Sequence, residues 1–308
     1  MAHLPTIGIK GPRRSLHFVP GGNEHMFAKA LDLPADTLIL DLEDSVPPEK
    51  KSAAREAVSE WLCHADFGQK ECLVRINPQD SVWGREDLKT VLIHGTDGLV
   101  LPKVIKFAEV DEVAQAVTAM EKENNLPEGC TSLILIGTES PAAVFHLHEM
   151  AGHERVDAIT WGAEDLSAML GARAIRNQAG KYLEVFSFVR SSCLLAAAAA
   201  EILPIDAVYA DYTDCRGLKQ ECHDAADMGF TGKMTIHPDQ IEIVNTAFTP
   251  SDSAVAEAHA LIAAFASAQA EGRHAFSFDG RMVDAPHLKS ARHIISLAAR
   301  ISEQDDKP

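Results

Sequence analysis

Eight short apolar runs, each followed by a helix-forming stretch, leave this chain few folds to choose from. They are SLHFVP (15–20), TLILDLED (37–44), CLVRINP (72–78), GLVLPKV (98–104), SLILIGTES (132–140), DAITWGAED (157–165), IDAVYADY (205–212) and GKMTIHP (232–238). Runs of Val, Ile and Leu without polar alternation mark strands buried on both faces, and helices between them imply a parallel sheet. Amphipathic or Ala-rich segments at 49–63, 107–124, 183–202 and 215–228 supply those helices. Eight such units without a long polar linker predict an α/β chain folded as a closed (β/α)8 TIM barrel, not an open doubly wound sheet. The barrel is assigned to 1–250 and a C-terminal helical extension to 251–308. The extension's stretch HAFSFDGRMVDAPHLKSARHIISLAARI is too apolar to stay unpacked, so it is expected to cover this barrel or a neighbouring subunit.

Charge narrows the partners. A formal net charge of -17 in 308 residues is the wrong sign for nucleic acid, which needs a basic footprint, and for an anionic membrane surface. The N-terminus lacks the apolar stretch of a secretory signal. No apolar run approaches the ~20 residues of a membrane span. Six cysteines without a CxxC pair read as free core thiols, so a reducing, cytoplasmic location is expected.

The polar residues gather at the C-terminal ends of the runs: Asp41, Glu43 and Asp44, then Arg75 and Asn77, Lys103, Glu139, Glu164 and Asp165, Asp211 and His237. In a barrel these ends share one rim, the face that carries chemistry. The N-terminal ends read as mostly small residues, Pro, Thr or Ser. Glu139 and Asp165 end neighbouring strands, as a hard-cation site or as acids paired to arginines. Mg²⁺ needs only one or two carboxylates, with water and substrate oxygens completing its shell. The lack of clustered His or Cys disfavours zinc.

Arg75, flanked by Val and Ile, must be paired to be buried. It is read both as oriented by Glu43 or Asp44 and as a clamp on an anionic substrate oxygen. Lys103 is open to the same two readings, as a protonated, paired ammonium more than as a Schiff-base amine. Lys10, Arg13 and Arg14, with a glycine turn leading into a helix, suggest a phosphate-bearing ligand or merely a solvated terminus. Trp161 is expected inside the barrel, and His237 is read as a turn cap or a proton carrier.

RSLHFVPGGNEHMFAKAL, LILDLEDSV, CLVRINP, VLPKV, WGAEDL and GFTGKMTIHPDQI, in that order, resemble the citrate lyase beta-subunit-like branch of the HpcH/HpaI aldolase superfamily. The resemblance runs from about residue 13 to 295. It implies a Mg²⁺-dependent barrel, usually trimeric, that cleaves or forms carbon–carbon bonds next to a thioester. By position it makes Glu139 and Asp165 the metal ligands, and Arg75 the residue that binds substrate and stabilises an enolate. Asp44 falls in the same site, and Arg14 where a basic residue meets the acyl carrier or substrate. Where relatives read ETA or ESA, this chain reads Glu139-Ser140-Pro141. AFSFDGRMVDAP resembles the longer members, citramalyl-CoA and malyl-CoA lyases, in which an Asp, here Asp284, reaches a neighbouring subunit's site. The implied reaction is cleavage of a 3-hydroxyacyl-CoA, with Asp284 or a metal-bound hydroxide as base, in a homotrimer or hexamer. A citrate lyase beta subunit working on a carrier protein is the alternative, and a non-catalytic metal-binding barrel a remoter one.

Overall fold

The computed structural model describes residues 11–305. Eight parallel strands close into a barrel in sequence order: β1 (Ser15–Pro20), β2 (Thr37–Asp41), β3 (Glu71–Arg75), β4 (Gly98–Leu101), β5 (Ser132–Ile136), β6 (Val156–Thr160), β7 (Leu203–Asp206) and β8 (Gly232–Thr235). β8 pairs back onto β1. Alternate residues fill the interior, where Leu16, Ile39, Leu73, Val100, Ile134 and Met234 form one buried cluster. Their strand neighbours, such as Leu38 and Leu40, face the helical layer instead, as a two-residue period requires. In that layer the helix Lys51–His64 buries Ala54, Val58 and Trp61, and Trp61 stacks on Phe27 with ring centroids 4.1 Å apart.

Apart from β1, the strands are shorter than the apolar runs, because the polar residues at the run ends lie in loops. β7 departs most. It begins at Leu203 and holds Pro204, and the reading at 205–212 starts two residues late. A proline within a run argues against a strand, since it gives the ladder no donor. Here Pro204 pairs with Ile159 across β6, and its carbonyl accepts from Thr231 N at 2.9 Å.

The N-terminal rim is not the lightly decorated end that the runs suggest. Arg13 is buried and bidentate to Glu71 (2.6 and 2.7 Å) and to Asp157 (2.9 Å twice). Arg14 is buried against Asp36, through Nε at 2.9 Å and Nη2 at 2.8 Å. Arg14 therefore stands at the start of β1 in a structural ion pair, opposite the chemical rim, and the expected substrate contact is corrected. Lys10 lies outside the described residues. In the glycine turn Asn23 caps the following helix by accepting from Met26 N, so one of the amides expected to face an anion is already used.

The chain divides into two compact units at Asn245/Thr246. The second holds the helix Asp252–Ala270, the hairpin strands β9 (Phe276–Phe278) and β10 (Arg281–Val283), and the helix Ala285–Asp305. The hairpin went unread in the expected all-helical extension, although its Asp279-Gly280 turn, with φ 47° and 77°, is a strong two-residue hairpin signal. Among the described residues no helix is long and apolar enough to cross a membrane.

Candidate active site

The register of two strands builds the centre of the C-terminal rim. Asp41 of β2 is the direct partner of Arg75 of β3. Their side chains meet in a bidentate pair, Nε to Oδ1 at 2.6 Å and Nη2 to Oδ2 at 2.7 Å. The guanidinium carbon also lies 4.7 Å from the centre of the Phe18 ring. Burial would raise the Asp41 carboxyl, but Arg75, the Ser45 side chain and the amide of Glu43 hold it below the usual carboxylate range. Asp41, not Glu43 or Asp44, is thus the residue that orients Arg75. Glu43 comes second, with Oε2 3.1 Å from Nη1, and Asp44 third at 3.9 Å. The cause is the ladder itself, which sets positions 41 and 75 side by side before either loop begins.

The loop after β2 is pinned from behind. Lys51 Nζ donates to the carbonyls of Leu42 (2.8 Å) and Glu43 (2.7 Å) and to Asn77 Oδ1 (2.7 Å). Asn77 returns a bond to Leu42 O and another to Asp87. So held, Glu43 is buried, and Lys103 Nζ lies 2.5 Å from its Oε1, 3.1 Å from Asp44 and 3.9 Å from Asp165. Burial works against the Lys103 ammonium, yet Glu43 and Asp44 raise it well above an ordinary lysine. An amine held in its protonated form by two carboxylates is a poor Schiff-base nucleophile.

Glu139, three residues beyond β5, is 5% exposed. Its Oε2 accepts from the backbone N–H of Lys103 at 2.5 Å. Gly162 makes room for it: a Cβ there would stand 2.8 Å from Glu139 Cγ. Thr138 Oγ1 accepts from Gly162 N at 3.0 Å and fixes that approach. Ser140 caps the short helix Pro141–Val144, so the departing Pro141 occupies the first helical position, where it is tolerated. Burial, helped by the charges of Glu43 and Asp165, pushes the Glu139 carboxyl up to about 8. Asp165 sits in the first turn of the helix Ala163–Leu170, its side chain 41% exposed.

These groups open on a cavity of about 860 Å³ at the barrel mouth, lined among others by Asp44, Arg75, Glu139 and Asp165. Glu43 and Lys103 are not among its lining residues. Glu43 is sealed between Arg75 and Lys103, and Lys103 faces a smaller hollow beside Asn77 and Gln79. Their expected substrate contact is corrected to a place just behind the cavity wall. Asp284 belongs to the second unit, where its Oδ1 lies 2.7 Å from His287 Nδ1.

Sequence reading missed several lining groups. Thr160 ends β6 with a buried hydroxyl that has no hydrogen-bond partner. Arg176 lies over the Tyr182 ring at 3.8 Å and pairs with Glu221 at 2.6 Å. Trp161 is buried, but on the helical side with Ile159 and Phe186, so its expected place inside the barrel is corrected; its Nε1 donates to Asp206 at 2.8 Å. His237 accepts weakly from Asp239 N at 3.3 Å and stacks on Tyr212, the turn-cap alternative.

Among the described residues no group of three or more His, Cys, Asp or Glu side chains is arranged to hold a metal ion. What the rim offers is oxygen only. Glu139 is buried with one backbone donor for its charge, and Glu43 Oε2 accepts no hydrogen bond. Glu139 and Asp165 line the same cavity, and two such carboxylates fit a hard divalent cation that brings its own water and ligand oxygens. They do not fit zinc.

Residues 14–238 match the model of HpcH/HpaI aldolase/citrate lyase. The chain belongs to that family. It is 35% identical over 295 residues to a (3S)-malyl-CoA thioesterase of Cereibacter sphaeroides, covering 94% of this chain and 96% of that one. It is 37% identical over 287 residues to the citrate lyase subunit beta of Escherichia coli, covering 93% of each. It is 33% identical over 307 residues to an L-malyl-CoA/beta-methylmalyl-CoA lyase of Cereibacter sphaeroides, covering 94% and 96%. Among solved structures it resembles CitE from Mycobacterium tuberculosis in complex with magnesium, acetoacetate and coenzyme A, with a TM-score of 0.76 and 35% identity over 94% of this chain and 98% of that one. The aldolase/lyase family membership and the observed barrel agree with the fold and enzyme class expected from the motifs.

Proposed function

We propose that this protein is a Mg²⁺-dependent lyase that splits a 3-hydroxyacyl-CoA, such as (S)-citramalyl-CoA or malyl-CoA, into acetyl-CoA and a 2-oxo acid. The observation that carries the reading is a part-buried arginine fixed by Asp41 in the same cavity wall as Glu139 and Asp165. Held by Glu139 and Asp165, the cation would polarise and orient the hydroxy-acid half of the substrate. The hydroxyl proton passes to a carboxylate, and Asp284 of a neighbouring copy is the proposed acceptor. Its side chain is about half exposed and hydrogen-bonded to His287. The C–C bond then breaks, its electron pair moves onto the thioester as an enolate, and protonation of the enolate carbon gives acetyl-CoA. Asp41 takes Arg75 donors on Nε and Nη2 and Glu43 lies 3.1 Å from Nη1, so one further N–H on each terminal nitrogen is left for the enolate oxygen. Arg75 needs no reorganisation to reach that charge, because Asp41 and Phe18 already hold it.

A second reading is hydrolysis of the thioester, favoured by the likeness to malyl-CoA thioesterases. A third is cleavage of citryl groups on a carrier protein, favoured by the likeness to citrate lyase beta. The products decide: the lyase reading requires equal amounts of 2-oxo acid and acetyl-CoA, lost together in Glu139→Gln. Free coenzyme A with an intact hydroxy acid contradicts it.

A further inference from the structure

Lys103 is the one site residue whose backbone is out of the ordinary. Its φ is 57°, in the left-handed region where glycine is at home and a side chain is disfavoured. Such a conformation persists at a functional site only when its surroundings hold it there. Two contacts identify what this one achieves. The Lys103 N–H points at Glu139 Oε2, 2.5 Å away. From the same residue, Nζ reaches Glu43 and Asp44, the acids beside Arg75. Lys103 does not line the cavity, so substrate contact does not account for it.

We propose that Lys103 is a positioning residue: its left-handed backbone sets Glu139 to receive the cation, while its ammonium separately holds the acids behind Arg75. The inference rests on the metal-dependent reading above but concerns cation binding, which is measurable without substrate. Glycine satisfies the backbone half and abolishes the ammonium half, which explains why a lysine rather than a glycine serves both. Valine abolishes the ammonium equally but resists positive φ because it is β-branched.

The test is Mn²⁺ binding by electron paramagnetic resonance to the full chain and to Lys103→Gly and Lys103→Val, with circular dichroism confirming the fold. Lys103→Gly is expected to bind Mn²⁺ within about threefold of wild type, and Lys103→Val at least about tenfold more weakly, since αL is a genuine outlier for a β-branched residue. Cleavage kinetics should split: Lys103→Gly keeps its Mn²⁺ requirement but loses kcat, because Glu43 and Asp44, no longer held by the ammonium, compete for Arg75 Nη1. Equal Mn²⁺ affinities in the two variants would overturn the backbone role. If Lys103→Val does not fold, Lys103→Gly alone decides, and a tenfold loss there overturns the proposal. Wild-type protein that binds Mn²⁺ but cleaves no thioester overturns the lyase reading and leaves this one standing. Wild-type protein that binds no Mn²⁺ overturns both.

Discussion

Glu139 has an ordinary carboxylate value of 4.5 raised to about 8 in the metal-free fold, chiefly by burial. Folding without metal therefore favours the protonated acid. The group's contribution to stability is full below 4.5 and is lost as pH rises towards 8. A cation reverses the preference, because its ligand must be ionised. Mg²⁺ binding should release a proton from Glu139, and affinity should climb about tenfold per pH unit between about pH 6 and 8, then flatten. Calorimetry in buffers of different ionisation enthalpy checks this; an affinity independent of pH contradicts it. The melting-temperature rise on adding Mg²⁺ should likewise be larger at alkaline pH than near pH 6. Arg75→Lys should cut kcat by at least about a hundredfold, since a lysine cannot hold Asp41 bidentately and face the cavity too. Steady-state kinetics with Mg²⁺ at saturation reads that loss. At this scale the gathering of Arg75, Glu139 and Asp165 around one cavity was legible, because acids and a guanidinium after apolar runs have no use in a core. Partners were not. Asp41 looked like one acid of three, and only the register opposite Arg75 singles it out.

The strand-to-loop junction is the element that places most of the site. Each apolar run tells where its strand lies, while its polar end tells what the loop carries, so the starts of β2, β3 and β5 were legible to within a residue, while their ends were overrun by three or four. β7 was not, since Pro204 hid its start. The opposite rim was also illegible. Arg13 pairs with Glu71 and Asp157 across separations of 58 and 144 residues, contacts that exist only once the barrel closes. This division of labour is testable. Arg13→Ala should destabilise the fold by about 3–5 kcal/mol in urea melts, because it strands two buried carboxylates, yet leave Mg²⁺ affinity unchanged. Gly162→Ala should do the reverse. Its Cβ would stand 2.8 Å from Glu139 Cγ, so metal affinity should fall by more than the roughly 10–100-fold that a lost supporting group costs, with a melting temperature near that of the parent.

For the whole molecule, an acidic chain must gather its positive charge locally to take an anionic thioester, and Arg75, Arg173 and Arg176 line the cavity. The N-terminal arginines, spent on buried pairs, are not part of that supply. Fold and family were legible at this scale; under the proposed lyase reading the choice between pyruvate and glyoxylate as product was not, since one methyl is worth only ~1–3 kcal/mol in a pocket. If Asp284 serves a neighbouring copy, mixing Asp284→Ala with Arg75→Ala, each inactive alone, should restore part of the activity on subunit exchange. The most direct test of the central claim follows 2-oxo acid and free thiol together from malyl-CoA and (S)-citramalyl-CoA, with Mg²⁺ and with EDTA. Release of 2-oxo acid without free thiol, abolished by EDTA, is the predicted result. Free thiol without 2-oxo acid, or turnover indifferent to EDTA, would contradict the metal-dependent lyase.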